Sequence, residues 1–256
     1  MNEQEFNIWE GVYETWEQAP VDDNVFSSKI WVEKTIERTK KTLESYQVYG
    51  DAPPTSFIHE TALPLTAAMI SIDGEEPLRV LDFGGGMGTG FFQVKAGLSD
   101  RKLIEFHIVE NKAVCLQGRE LLSNYPSLHF HQTIPNLPEP LDIIHLGSSL
   151  QYIGDWVELI KSLVALSPQY LILTDVFAGD IRSFVTIQNF YGKKIRFRFQ
   201  SYKEFLSIIE QLNFRLIFKS AYYPTIFGKV GPLPMKNFDK KLQLEHVSQV
   251  IFKRMD

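Results

Sequence analysis

The chain has 256 residues, 44% of them hydrophobic and 22% charged, a balance that suits one large domain, or one domain with an accessory segment, and excludes wholesale disorder. Its net charge of −5, from 26 Lys and Arg against 31 Asp and Glu, offers no overall basic field to displace counterions from phosphates, so nucleic acid is not an expected partner. The single cysteine, Cys115, excludes an intramolecular disulfide framework and a cysteine-rich zinc site.

Residues 1–50 read as helical and rich in aromatics. Ile30, Ile36 and Leu43 sit among Lys and Glu between Ser27 and Glu44, just after Phe26, which predicts an amphipathic helix capped by Ser27 or Ser28. Gly50-Asp51-Ala52-Pro53-Pro54 breaks it. A second helix is expected from about Ser56 to Ile72, kinked or split near Pro64 and ended by Asp73-Gly74. These segments, residues 1–75, form an N-terminal helical cap in this reading, and residues 76–256 form the main domain.

From there the pattern alternates. Arg79 to Phe83, Glu105 to Glu110, Leu141 to Leu146 and Tyr170 to Asp175 are short apolar runs that read as strands. Helical stretches such as Lys112 to Asn124 and Trp156 to Leu166 lie between them. The expected fold is α/β and Rossmann-like, with a mostly parallel sheet. Phe214 to Phe218 and Val247 to Phe252 are strands with no convincing helix between them, which adds an antiparallel C-terminal strand. No apolar run reaches the roughly 18 residues that span a bilayer. The start Met1-Asn2-Glu3-Gln4-Glu5 is acidic and no apolar stretch follows it, so no signal peptide is expected and the expected location is cytoplasmic.

The most informative stretch is Val80-Leu81-Asp82-Phe83-Gly84-Gly85-Gly86-Met87-Gly88-Thr89-Gly90. A strand delivers the chain to a loop nearly free of side chains, where a ligand can approach the backbone. The helix that follows aims its first N–H groups at that ligand and favours an anionic group. The dinucleotide pattern G-x-G-x-x-G is absent: its last position is Thr89 counted from Gly84 and Phe91 counted from Gly86. Glu110 closes the next strand, where an acid grips ribose hydroxyls in nucleotide-binding folds generally.

The run Asp82-x-Gly84-x-Gly86-x-Gly88 is similar to the first motif of class I S-adenosylmethionine (SAM)-dependent methyltransferases. The resemblance extends to Trp9-x-Gly11-x-Tyr13-x-x-Trp16-Glu17-x-Ala19, Val109-Glu110 with Gly118, and Ser148-Ser149-Leu150-Gln151-Tyr152. Together these look like a methyltransferase family named from sequence and often associated with bacterial surface-polysaccharide gene clusters. The similarity spans about Trp9 to Gly192. It implies a class I methyltransferase sheet, SAM as cofactor, and a small-molecule or glycan acceptor, with a sugar hydroxyl or amine as the specific expectation. It also implies that Asp82, Gly84, Gly86 and Gly88 line the methionine and ribose side and that Glu110 accepts from both ribose hydroxyls. Such enzymes commonly carry an acid for the adenine amino group after the third strand. This chain has Phe130-His131-Gln132-Thr133 there, and Gln132 can accept the same bond more weakly through its neutral carbonyl.

In open α/β sheets ligands lie at the carboxyl ends of strands, which brings Gly147 and Ser148 to the cofactor and His145 and Asp175 to the chemistry. His145 is the candidate base, with a buried, hydrogen-bonded core histidine as the alternative. Asp175 either holds a substrate hydroxyl or caps a turn. His59 and Tyr152 are weaker candidates. His129 and His131 share one face of a strand, but no third ligand stands at metal-site spacing, so no metal is expected. The tract Lys193-Lys194-Ile195-Arg196-Phe197-Arg198-Phe199 reads as an edge strand, or as a docking surface for a phosphate-bearing sugar. Two rival readings stay open: a non-catalytic protein that keeps the pocket as a scaffold, and a nicotinamide-dependent oxidoreductase.

Overall fold

A computed structural model describes residues 6–21, 25–50, 61–71, 76–98 and 102–255. In chain order its elements are β1 (Trp9–Tyr13), α1 (Lys29–Tyr49), α2 (Ala62–Ile70), β2 (Leu78–Phe83), α3 (Thr89–Ala96), β3 (Ile104–Val109), α4 (Lys112–Leu121), β4 (Leu128–His131), β5 (Ile143–Gly147), α5 (Trp156–Val164) and β6 (Tyr170–Val176). They continue with β7 (Ala178–Gly179), β8 (Phe184–Phe190), β9 (Lys193–Ser201), α6 (Tyr202–Gln211), β10 (Phe214–Tyr222), β11 (Thr225–Ile226), β12 (Lys229–Val230) and β13 (Val247–Arg254).

The main sheet has seven strands in the order β10-β13-β6-β5-β2-β3-β4. β13 runs antiparallel to both of its neighbours, and every other pair is parallel. The central strands are apolar on both faces because helices cover both. On one face Phe91, Phe106 and Ile108 pack with Leu63 of α2. On the other, Ile144, Leu146 and Leu171 pack beneath α5 and α6 through Ile160 and Phe205. This is the Rossmann-like, mostly parallel sheet that the strand pattern predicts. Among the described residues no helix is long and apolar enough to cross a membrane.

α1 runs longer than its sequence pattern suggests. Ser28 caps its start by accepting from Trp31 N–H, and Gly50 closes its end at φ 67°. Pro64 makes no kink: it lies in the first turn of α2, where its missing N–H needs no partner. His59, Asp51 to Pro54 and Asp73-Gly74 lie outside the described residues.

The second sheet, in the order β1-β8-β9-β7, corrects the helical expectation for the first fifty residues. Trp9–Tyr13 is a strand that pairs antiparallel with β8, Trp9 opposite Gln188 and Glu10 opposite Ile187. Trp9 is 2% exposed and meets the rings of Phe177, Phe197 and Phe199 at 5.3–6.1 Å. The basic tract forms β9, with Ile195, Phe197 and Phe199 buried. Its arginines are spent inside the molecule: Arg196 Nε donates to the Ala19 carbonyl at 2.9 Å, and Arg198 donates to the Gly154 carbonyl at 2.9 Å.

Candidate functional site

A cavity of about 640 Å³ opens at the carboxyl ends of β2, β3, β4 and β5. Its floor begins with Asp82, 2% exposed on β2, whose Oδ1 lies 2.8 Å from His145 Nδ1 on the neighbouring β5. The other imidazole nitrogen, Nε2, lies 3.3 Å from Thr174 Oγ1 on β6. The side chain of His145 thus reaches the cavity wall but is held at both nitrogens.

The glycine loop divides by function. A Cβ on Gly85 would fall on the Asp82 carboxylate, and one on Gly84 would stand 2.7 Å from Ser149 Cβ. Gly86 takes φ 59°, and a Cβ there would meet only Thr35 of α1, at 3.4 Å. It is the loop position that faces both the cavity and the cap. Gly88, the cap residue of α3 at φ 86°, does not line the cavity: a Cβ there would press on Ile108, Leu122 and Leu128 in the core. The structure thus removes Gly88 from the ligand side and gives it a backbone role that a side chain would strain.

Glu110 follows β3 into the cavity wall. Its carboxylate accepts from Asn111 N–H at 2.8 Å, from the Asn111 side-chain amide at 3.0 Å, and from Gly86 N–H. Burial nonetheless pushes its pKa above the ordinary carboxylate value of 4.5. Asn111 caps α4 by accepting from Ala113 and Val114 N–H, and its amide also donates to the Phe26 carbonyl at 3.1 Å. That bond ties the segment before α1 to the rim of the site.

Gln132 stands exposed at the rim beyond β4. Gly147 and Ser148 line the wall after β5. Ser148 adopts φ 52°, rare for a residue with a side chain, and its N–H donates to the Thr174 carbonyl at 3.1 Å. Asp175 is separated from the cavity: it lies outside the lining, and its Oδ1 accepts from the Tyr222 hydroxyl at 2.8 Å. Tyr152 lines the cavity and donates to Gln188 Oε1 at 2.9 Å; burial holds its phenol far above the ordinary range, so it stays protonated.

His129 and His131 share a face with His107 of β3. His107 stacks on His129 at 5.0 Å, and its Nδ1 lies 3.0 Å from His131 Nε2. Burial, then the neighbouring imidazoles, lower the His107 pKa to about 4. Among the described residues no group of three His, Cys, Asp or Glu is placed to hold a metal ion.

The sequence suggests an N-terminal cap but does not single out the residues that line the cavity from it. Trp31, Thr35, Arg38 and Thr39 project from α1 into the cavity, joined by Phe26 before the helix and by Phe190 and Tyr191 at the end of β8. Thr39 is 0% exposed, and its hydroxyl has no hydrogen-bond partner. The signal was the spacing: polar residues with one aromatic recur on a single helical face, at Trp31, Thr35 and Thr39, inside an otherwise charged helix.

No family model matches this chain. Nor does any curated protein match it. Solved structures do. The 1,6-didemethyltoxoflavin N1-methyltransferase of Burkholderia thailandensis, solved with 1,6-didemethyltoxoflavin and S-adenosylhomocysteine (SAH), is 13% identical with a TM-score of 0.50, over 96% of this chain and 100% of that one. A SAM-dependent methyltransferase of Clostridium acetobutylicum is 12% identical with a TM-score of 0.50, over 86% of this chain and 100% of that one. A pericyclic reaction enzyme gives 11% identity and the same TM-score of 0.50, over 76% of this chain and 47% of that one. A name of that kind on the same architecture is a reminder that a fold does not choose a chemistry. What these likenesses share with the sheet order and the strand-end cavity is the fold, and the chain has the Rossmann-like fold of class I methyltransferases.

Proposed function

We propose that this protein is a SAM-dependent methyltransferase acting on a small molecule or glycan intermediate, with a sugar hydroxyl or amine as acceptor. The observation that carries the reading is the meeting of Glu110 with the Gly86 backbone at the strand ends, under a roof with a buried, unpaired hydroxyl. The residues fit the cofactor. Glu110 has the charge and position to accept ribose hydroxyls, Gly86 leaves room for close approach, and Gln132 stands where an adenine edge would end. Thr39 and Arg38 offer a hydroxyl and a cation to a carboxylate. SAM supplies an electrophilic methyl group on a sulfonium. The protein aligns the acceptor and keeps water out. In this reading His145, fixed between Asp82 and Thr174, positions the floor of the site, and Asp175 near the end of β6 holds Tyr222.

The test is ligand linkage. SAM and SAH should raise the melting temperature, with about 2.7 kcal/mol of added stability at a hundredfold excess over Kd. NAD should leave it unchanged. No shift and no calorimetric heat with either adenosyl ligand would overturn the reading.

The pH dependence has a definite sign. Ribose hydroxyls donate to the ionised carboxylate, so binding lowers a Glu110 pKa that burial has raised. Between the bound and free values, binding must expel a proton. SAH affinity therefore levels off above the raised pKa of the free protein and falls as pH drops through it. Calorimetry at several pH values, in buffers of different ionisation enthalpy, measures the proton release. Proton uptake in that range would assign the wrong group.

A further inference from the structure

Resting on that reading, we infer that the acceptor's reacting group is an amine that arrives neutral, seated among aromatic faces that stabilise positive charge, with no side chain taking its proton. Five rings line the cavity together: Phe26, Trp31, Tyr152, Phe190 and Tyr191. Their centroids lie close, at 4.9 Å for Phe26 and Tyr152, 5.5 Å for Phe26 and Trp31, 5.5 Å for Trp31 and Phe190, and 4.7 Å for Phe190 and Tyr191. They come from the segment before α1, from α1, from the loop after β5 and from the end of β8, so three-dimensional folding rather than local sequence assembles them. Aromatic faces carry negative electrostatic potential and attract cations, most strongly where water is displaced. Arg38, the one Lys or Arg among the described residues of the lining, sits two helical turns beyond Trp31, about 10 Å along the axis.

The inventory of bases points the same way. Asp82 is engaged by His145, Glu110 by backbone and amide N–H groups, and His145 by Asp82 and Thr174. Tyr152 donates its hydroxyl hydrogen bond to Gln188 Oε1. An alcohol acceptor must lose its proton during or after transfer, whereas an unprotonated amine already carries a reactive lone pair. In the step, the nitrogen lone pair forms the N–CH3 bond while the C–S bond breaks and its electron pair goes to sulfur. Positive charge passes from sulfonium to ammonium, and the product's extra proton leaves to water after release. The aromatic faces meet a cation at the start and at the end, so nothing in the site has to titrate.

Choline and its neutral isostere 3,3-dimethylbutan-1-ol separate the possibilities, titrated by calorimetry into the full chain saturated with SAH. The expected result is at least tenfold tighter binding of choline, with the preference lost in Trp31→Leu. Retained SAH affinity reports that the variant is folded, and Phe190→Leu replaces it if it is not. If SAH binds and the parental protein does not prefer choline, the amine inference is overturned while the cofactor reading stands. A preference that survives in both variants also overturns it, because the charge is then held elsewhere. If SAH itself does not bind, the cofactor reading fails first.

Discussion

Asp82→Ala is expected to destabilise the folded protein by about 1–3 kcal/mol, the scale of leaving a buried hydrogen-bonding group without its partner. The carboxylate is 2% exposed and meets an imidazole that is 7% exposed, so truncation leaves the Nδ1 of His145 without its protein partner. It also opens a void, because Gly85 and Gly90 both approach that carboxylate too closely for side chains of their own. Urea unfolding of the parental and variant chains measures the loss. Asp82→Asn, which keeps the volume and an acceptor oxygen, should cost less. Asp82→Ala combined with His145→Leu should cost less than the sum of the two single changes, since neither polar group then remains to be stranded. Simple additivity would mean that the two side chains do not support one another.

Glu110→Ala acts on binding instead. Losing an ionised acceptor for two hydroxyl donors should weaken SAH binding by about 2–4 kcal/mol. The unliganded fold should lose much less, because burial already penalises this carboxylate, as its raised pKa records. Calorimetric titration of the folded variant decides the matter: an unchanged dissociation constant would move the ribose contact to another residue. Asp82 stands on β2 and Glu110 just past the neighbouring β3, and they answer to different measurements, one to denaturant and the other to ligand.

Much of this arrangement was legible in the residues, for physical reasons that also mark where legibility stops. β2, β3, β5 and β6 announce themselves because doubly covered strands are continuous apolar runs, and Glu110 is visible as the acid that ends one of them. β1 was hidden because a five-residue strand carries little periodic signal of its own, and its pairing partner lies far along the chain. The alternate glycines of the loop look alike in sequence, yet their surroundings differ: Gly86 faces the cavity with only Thr35 near it. Gly84 makes room for Ser149, and Gly88 turns the backbone above packed Ile108. Asp175 resembled Glu110 as an acid near a strand end, but the chain beyond β6 turns at once into the second sheet, and Tyr222 takes the carboxylate. The cap is legible but its lining side chains are not, because α1 shows charge outward along most of its length and its inward face is threonine rather than leucine.

The pairing of β1 with β8 sets an order of assembly. Thr186 Oγ1 donates to the Gly11 carbonyl across 175 residues of intervening chain, and closing a loop of that length costs about 4–5 kcal/mol of chain entropy before any contact returns it. During synthesis the earliest strand must therefore wait for β8, with Trp9 lacking the ring partners Phe177, Phe197 and Phe199 until they too have been made. Phe26 and Trp31, which follow shortly behind it in the chain, meet Phe190 only at that stage. The cavity floor can thus form from β2, β3 and β5 while the aromatic wall is still incomplete, and the part of the site that would hold the acceptor is the last to be built.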